Sequence, residues 1–288
     1  MASNNLVDIF RVISQELDAR NDKTERIVKL SRDITIESKR TISLLQRSQL
    51  QSTAERLATF QKAEYNLARV RKNNFYKLAR ELENESPFYF NRSYTFGLQE
   101  YIEAISFLYY LQKGTLIAHK EVQRSLVFQD VGNPGEKRPN EISSDGKGNT
   151  PENNNSVVKD ISEKKRISVH VSQHDYILGL MDLTGELMRA TINANPVESI
   201  QFVQDTNNFL QLVYQGSLAL YGYRTKELSR KMSTLLSSVL KIESYVYSLK
   251  IRELDTFGGA LTTKPIFVDA FGDQQNRHYN DDYDSGTD

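Results

Sequence analysis

Apolar residues recur at helical spacing through the first third of the chain, and this periodicity predicts long amphipathic helices. Residues 1–86 contain neither Gly nor Pro, the two residues that most often interrupt a helix. One apolar series precedes the polar pair Asn21 and Asp22, and a second follows it. No sustained heptad pattern is apparent. The first series is Leu6, Ile9, Phe10, Ile13 and Leu17, and the second is Ile27, Leu30, Ile34, Thr41 and Leu45.

The same spacing predicts further helices along the chain. A second helix is expected from Thr53 to Leu82, and the Ser86-Pro87 pair ends it because a residue before proline disfavours helical geometry. A third, from about Thr95 to Lys113, is apolar on most sides and therefore belongs in the core. Shorter or later helices are expected near residues 119–127, 174–193, 197–214, 218–221 and 225–254.

Composition changes sharply at Gln129. Residues 129–166 hold three of the six prolines and almost no large apolar residues, which is typical of a disordered connection. The helical segment that follows is too short and too apolar to be clearly independent, so we interpret residues 129–166 as an insertion within one domain. The expected organisation is an N-terminal helical half over 1–128, this insertion, a C-terminal half over 167–257 and an acidic disordered tail over 258–288.

Composition excludes several classes of protein. The chain has no Cys, so it contains neither a disulfide, a thiolate metal site nor a cysteine nucleophile. No run of about 18 apolar residues occurs, and the first residues lack the pattern of a secretory signal. We therefore expect no membrane association and a location in the cytoplasm and nucleus.

Charge is balanced overall but segregated along the chain. Lys plus Arg and Asp plus Glu both total 37, yet residues 11–80 hold sixteen basic and eight acidic residues. Such a basic body suggests an anionic partner, although Lys and Arg that solvate long helices explain the charge equally well. The candidate nucleic-acid-binding residues form a ribbon on the first helix, at Arg20, Lys23, Arg26, Lys29, Arg32, Lys39 and Arg40.

Two of the predicted helices carry acidic pairs where a core helix should have none. Glu100 and Glu103 are three residues apart and leave the helix within about 60° of one another. Asp182 and Glu186 are four apart, within about 40°. Burying such carboxylates is costly unless a cation compensates. Carboxylate oxygens suit Mg²⁺, Mn²⁺ or Ca²⁺, so a divalent metal site that acts on a phosphodiester is one hypothesis.

The competing interpretation is an ordinary salt-bridge network, in which Arg189 pairs one turn along the helix with Glu186. On a helical projection, the first acidic pair neighbours Phe96, Phe107 and Leu111, and the neutral polar stripe of that helix lies elsewhere. The acids are therefore expected to be partly buried. Gly179 and Gly185 are expected to leave room for a neighbouring backbone. The neutral stripe consists of Gln99, Ser106 and Lys113, and the four histidines at 119, 170, 174 and 278 show no ligand spacing.

Residues 26–47 (RIVKLSRDITIESKRTISLLQR), 97–107 (GLQEYIEAISF) and 175–193 (DYILGLMDLTGELMRATIN) resemble the corresponding segments of the translin family, in its translin-associated factor X (TRAX) branch. Residues 241–252 (KIESYVYSLKIR) are similar as well, and the resemblance covers most of residues 9–255 in order. It implies an all-α, translin-like antiparallel bundle of about six or seven helices. It also implies that translin is the partner, in a hollow hetero-oligomeric barrel that we expect to be octameric.

The resemblance further implies an activity. TRAX-like chains are the catalytic subunits of a Mg²⁺-dependent endoribonuclease, with Mn²⁺ as the alternative ion. Single-stranded RNA is the expected substrate, and single-stranded DNA a further ligand. The implied roles are passenger-strand removal in RNA silencing and tRNA processing. The metal-binding and catalytic acids of the family match Glu100, Glu103, Asp182 and Glu186 by motif position.

The sequence departs from the family pattern in two places. The 129–166 insertion is its own variation on a connecting loop, and no basic extension precedes the first helix. A weak basic candidate for a nuclear-import signal is EKKR at 163–166. Two alternatives stay open beside the nuclease: a non-catalytic subunit that binds single-stranded RNA or DNA through the basic ribbon, and a helical adaptor whose acids are structural.

Overall fold

A computed structural model describes residues 2–86, 88–129, 165–194, 200–223 and 225–255 of the chain, and nearly all of them are helical. This confirms the predicted all-α class. No described helix is long and apolar enough to span a bilayer. The elements are α1 (Ala2–Arg47), α2 (Thr53–Val70), α3 (Tyr76–Glu81), α4 (Asn91–Lys113), α5 (His119–Ser125), β1 (Val127–Gln129), β2 (Arg166–Ser168), α6 (Gln173–Asn193), α7 (Ile200–Leu218) and α8 (Lys226–Asp255).

The chain divides into two compact units, residues 1–183 and 184–288, and the division falls inside α6. The first unit contains α1 to α5 and both strands. Most of the predicted insertion, residues 130–164, lies outside the described residues, as does the predicted tail. The ends of the insertion are described, and they pair: β1 and β2 are antiparallel, with Gln129 opposite Arg166. Propensity reasoning missed this short ladder because three residues are too few to show a strand pattern.

Helix α1 packs against α4 along a seam of small and branched side chains. Its buried positions follow alternating spacings of four and three residues. At the closest approach, the Gly97 amide of α4 donates a 3.2 Å hydrogen bond to Ser31 Oγ. A Cβ at position 97 would lie 2.6 Å from the Ser31 carbonyl oxygen, so only glycine fits there. The seam positions are Ile27, Ser31, Ile34, Ser38, Thr41, Leu45 and Ser48.

This seam is a heptad pattern that the apolar residues alone do not reveal. Ser31, Ser38, Thr41 and Ser48 occupy four of its seven positions and are buried. A hydroxyl can be buried in a helix when it bonds to the carbonyl one turn back, as Thr41 Oγ1 does to the Glu37 oxygen at 2.9 Å. Small side chains also let two helices approach closely. The heptad spacing of this segment therefore becomes apparent only when the buried serines are counted with the apolar residues.

The second predicted helix is interrupted. α2 begins at a capping box in which the Ser52 amide donates to Glu55 Oε2 at 3.0 Å. Between α2 and α3, residues Arg71–Phe75 form a π-helical turn, which no sequence pattern predicted. There the Arg71 guanidinium donates a 3.0 Å hydrogen bond to the buried Tyr101 hydroxyl on α4. The extra residue in this turn thus brings a charged side chain to α4.

The second unit is built on the packing of α7 against α8. Val203 and Leu210 of α7 are buried, as are Leu235 and Ile242 of α8. Helix α7 begins at Ile200 and continues to Leu218, four residues beyond the predicted end at position 214. A 2.8 Å hydrogen bond from the Gln211 amide to Glu243 also joins the two helices.

Candidate metal site and basic surface

Asp175 fixes the start of α6 against α4. Its amide donates to Ser172 Oγ at 3.0 Å, and that hydroxyl donates back to Asp175 Oδ2 at 2.6 Å, so the pair caps α6. Oδ1 accepts hydrogen bonds from the Thr95 hydroxyl and, at 3.0 Å, from the Gln99 amide, both on α4. Asp175 is only 1% exposed, and these donors satisfy its buried charge.

Gly179, one turn after Asp175, is the point of closest approach between the helices. A Cβ there would lie 2.8 Å from Ile102 Cγ2 and 2.9 Å from the Gln99 carbonyl oxygen. Asp175 contacts Thr95 and Gln99, and Gly179 lies close to Gln99 and Ile102. Residue numbers in contact thus rise together along both helices, so the two helices run in the same direction. The next turn of each helix carries Glu103 and Asp182 at a similar level. Gly179 therefore has the role that its sequence position predicted.

The two acids of α4 have different surroundings. Glu103 is 7% exposed and lies at the edge of the α6-facing side, whereas Glu100 is half-buried and turned farther round the helix. The Lys39 ammonium of α1 pairs with Glu100 Oε1 at 3.2 Å. Asp182 is half-buried on α6. The expectation of partly buried acids is confirmed for these three residues.

Glu186 belongs to the second unit and is 8% exposed. It forms an ion pair with the exposed Arg189, one turn later on α6, as the salt-bridge interpretation predicted. Gly185, on the same turn, has no atom of the described residues within 4 Å of an added Cβ. The space at Gly185 is therefore open among the described residues, and its occupation by a neighbouring backbone stays a prediction.

The four acids have the oxygen donors that a hard divalent cation prefers. Two of them are held by cations of the chain itself, Glu100 by Lys39 and Glu186 by Arg189. Among the described residues, no group of three or more Asp, Glu or His side chains has an arrangement that could hold a metal ion. The donor chemistry thus fits Mg²⁺, but the side chains must rearrange before several carboxylates can share an ion.

Two of the three residues in the polar stripe of α4 are buried. Gln99 and Ser106 are buried on the side that faces α6, whereas Phe96, placed beside the acids, is exposed. Gln99 faces inward because Asp175 supplies an acceptor for its amide. Sequence analysis missed this contact because it treated each helix separately. The buried Gln99 amide and the capping Asp175 carboxylate are complementary. They can be matched only once it is known that α4 and α6 are in contact.

Most of the basic ribbon is engaged within the first unit. Arg20 lies over the Tyr89 ring, 3.8 Å from its centroid, and Lys23 pairs with Glu85 at 2.6 Å. Arg26 pairs with Glu81 at 3.1 Å, and its pKa is raised chiefly by that hydrogen bond. Lys39 and Arg40 pair with Glu100 and Glu37, whereas Lys29 and Arg32 are exposed.

Tyr94, which precedes this region of α4 by one turn, has an unusual environment. Burial, together with the charge of Asp175, raises the pKa of its phenol to about 12. The hydroxyl is buried and has no hydrogen-bond partner among the described residues. Nearby on the same helix, burial also raises the pKa of Tyr101. The α4 helix is thus anchored by phenols that remain protonated well above neutral pH.

Comparison of the sequence with protein families matches residues 22–253 to the model described as "Translin family". Similar proteins include Translin-associated protein X of Pongo abelii, 37% identical over 262 residues, which span 91% of this chain and 82% of that protein. The protein of the same name from Mus musculus is 37% identical over 266 residues with the same coverage. The homolog from Schizosaccharomyces pombe is 28% identical over 242 residues, covering 83% of this chain and 86% of that one.

Solved structures share the fold. The structure described as "Crystal structure of apo-NeC3PO" has a TM-score of 0.57 at 17% identity, over 83% of this chain and 96% of that chain. "Structure of AfC3PO - duplex RNA complex" has a TM-score of 0.56 at 15% identity, over 85% of this chain and 98% of that chain. At these identities the likeness supports the helical fold and nothing finer.

Proposed function

The chain belongs to the Translin family, and from this premise we propose that it is the catalytic subunit of a hetero-oligomeric complex with translin, a Mg²⁺-dependent endoribonuclease for single-stranded RNA. The observation that carries the proposal is the buried carboxylate of Glu103, on the turn of α4 level with Asp182. A buried carboxylate is costly unless polar or cationic groups compensate its charge, and a divalent ion is a compensation that suits carboxylate oxygens.

The proposed ligands are Glu100, Glu103 and Asp182 of the first unit. The resemblance adds Glu186, one helical turn after Asp182. Mg²⁺ is the proposed ion and Mn²⁺ the alternative; when bound, the ion would supply charge neutralisation at the scissile phosphate and an activated water. The Asp175 hydrogen bonds to Thr95 and Gln99 hold the first turn of α6 against α4, and in this proposal they set the spacing between Glu103 and Asp182.

A divalent ion would have to displace the ion pairs that these acids form within the chain. Glu100 is partnered by Lys39, whose side chain is mostly exposed. An exposed lysine pair contributes little to stability, so a divalent ion at millimolar concentration can displace it at small cost. The exposed Lys29 and Arg32 on the same helix are the cations that we propose for an RNA phosphate.

Substitutions that replace a carboxylate by a neutral amide of nearly the same shape test the proposal. In the full-length chain assembled with translin, Glu103→Gln and Asp182→Asn should each lower the rate of single-stranded RNA cleavage by at least about a hundredfold, because each removes a ligand that acts on the transition state. The matched control is Glu64→Gln, which removes an exposed carboxylate of α2 in the same unit. Mn²⁺ binding, measured by calorimetry and by electron paramagnetic resonance, gives a second readout that is independent of cleavage.

The proposal fails if both variants cut RNA and bind Mn²⁺ as the Glu64→Gln control does. Loss of cleavage with unchanged Mn²⁺ binding would instead assign the acids a role without metal. A complex that binds single-stranded RNA in a salt-dependent manner, yet never cuts it in Mg²⁺, would support the alternative of a non-catalytic binding subunit. A complex that binds no RNA at low salt would support the adaptor.

A further inference from the structure

The first half of α1 carries an apolar stripe that no described residue covers. Its six side chains are between 45% and 64% exposed. Together they present on the order of 600 Å² of apolar surface, which equals the largest patches on monomeric proteins and approaches the roughly 800 Å² that one partner buries in a stable complex. The stripe consists of Leu6, Val7, Ile9, Phe10, Ile13 and Leu17.

The stripe continues an interface that the chain already uses. Leu6, Phe10, Ile13 and Leu17 keep the alternating spacing of four and three residues that Ile27 and the later buried positions follow. They therefore continue the heptad register of the seam that packs against α4, displaced around a straight helix by about 20° per heptad. The match to the Translin family begins at residue 22, where α1 starts to be covered. Residues 6–17 thus extend the seam beyond the part of the fold that the family model covers.

The width of the stripe indicates the kind of partner. From Ile9 at one edge to Val7 at the other, it spans about 160° of the helix surface. A two-stranded coiled coil covers a narrower seam, whereas a helix that lies in a groove between two others is apolar over such an arc. A single helix, including α1 of a second copy, would leave one edge of the stripe in water.

The polar side of the same segment excludes other occupants. Outside the stripe, residues 6–17 carry two acids, one base and the exposed Val12, and the base, Arg11, pairs with Asp8 at 3.1 Å. Helices that lie on membranes present Lys and Arg on their polar side, and nucleic acid requires the same charge. The chemistry therefore favours a protein surface.

We propose that residues 6–17 of α1 form a docking surface that enters an apolar groove between two packed helices of an all-α subunit in the same assembly. This inference rests on the proposed function, because it takes its partner from the hetero-oligomeric complex with translin. The stripe would be covered on assembly as residues 27–48 are covered by α4 within the chain.

The test compares two double substitutions that add the same charge to the same helix. Phe10→Asp with Ile13→Asp places two carboxylates in the stripe, and Gln15→Asp with Ala19→Asp places two on the polar side. Binding of the full-length chain to purified translin is measured by analytical ultracentrifugation. The stripe variant should bind at least about thirtyfold more weakly, as expected for the loss of two interface anchors. The polar-side variant should bind within about threefold of the unsubstituted chain.

Melting curves of the unassembled chain, followed by circular dichroism, should be alike for the two variants because neither site touches the core. Equal translin binding by both variants overturns the inference. The inference is also overturned if the unsubstituted chain self-associates, the stripe variant abolishes that self-association, and translin binding is unchanged. The stripe would then pair with a second copy of the chain. RNA cleavage separates this inference from the proposed function. If the wild-type complex assembles through the stripe but does not cut RNA, only the proposed nuclease activity is refuted.

Discussion

One face of residues 27–47 of α1 is buried, chiefly against α4, whereas residues 6–17 of the same helix are exposed around their whole circumference. Both halves present side chains at the same heptad positions. The covered half uses small hydroxyl residues at many of them, and the exposed half uses only large apolar ones. Small side chains suit a close, permanent helix contact such as that of Ser31 with Gly97. A strongly apolar helix face therefore does not have to be covered by residues of the same chain.

Two isoleucines at equivalent heptad positions give the largest expected difference between the halves. Ile34 is 1% exposed and Ile13 is 45% exposed. In the unassembled chain, Ile34→Ala should lower the free energy of unfolding by about 2–5 kcal/mol, because it leaves a cavity against α4. Ile13→Ala should change it by less than about 0.5 kcal/mol, since alanine favours the helix and nothing is packed there. Urea denaturation measures both, and comparable losses would remove the contrast.

An alkaline titration tests the packing of α4, on which only the covered half of α1 depends. The Tyr94 phenol ionises near pH 10 when unfolded and at about 12 when folded, so the fold favours its protonated form. Its stabilising contribution is complete below pH 10 and is lost as the pH rises through 12. Between pH 9 and 12, the free energy of unfolding should fall by about 2–3 kcal/mol more in the wild type than in Tyr94→Phe.

The control for this titration is Tyr65→Phe, which removes an exposed hydroxyl of α2. Tyr101 and Tyr176, whose pKa values burial also raises, contribute to the loss in every variant. The difference between variants is therefore the quantity to measure. Identical curves for wild type and Tyr94→Phe would contradict the assigned burial of the phenol.

The smallest expected effect lies at the junction of the two halves. Lys23 pairs with Glu85 at 2.6 Å, just before the first buried seam residue, and both side chains keep some exposure. A double-mutant cycle with Lys23→Gln and Glu85→Gln should give a coupling energy below about 1 kcal/mol, because solvent screens the pair. A coupling several times larger would mean that this ion pair, and not the burial of the seam, fixes where the covered half begins.

Much of the fold was predictable because helix periodicity is a local property. The absence of Gly and Pro before residue 87 predicted the long α1, and Gly114, in left-handed geometry with φ 69°, marks the end of α4. The π-helical turn at Arg71–Phe75 and the pairing of Gln129 with Arg166 were not predicted. Each depends on a contact with a residue distant in sequence, which periodicity does not contain.

The candidate site divides in the same way. The spacing of Glu100, Glu103, Asp182 and Glu186 on two helices is read directly from the sequence, as is the space that Gly179 leaves. Which of these acids is buried, and which is paired with Lys39 or Arg189, is decided by the neighbouring residues. The ribbon of basic residues shows the same limit, since its pairing with Glu81 and Glu85 joins positions more than fifty residues apart.

By itself the sequence determined the helical class, the direction of each amphipathic face and the candidate acids, because backbone geometry converts residue spacing into angle. Tertiary structure decided which faces find a partner within the chain. It buried serines in the α1 seam, turned Gln99 toward Asp175 and left Leu6 to Leu17 exposed. The physical reason is that burial is a property of two surfaces, and a sequence pattern describes only one of them.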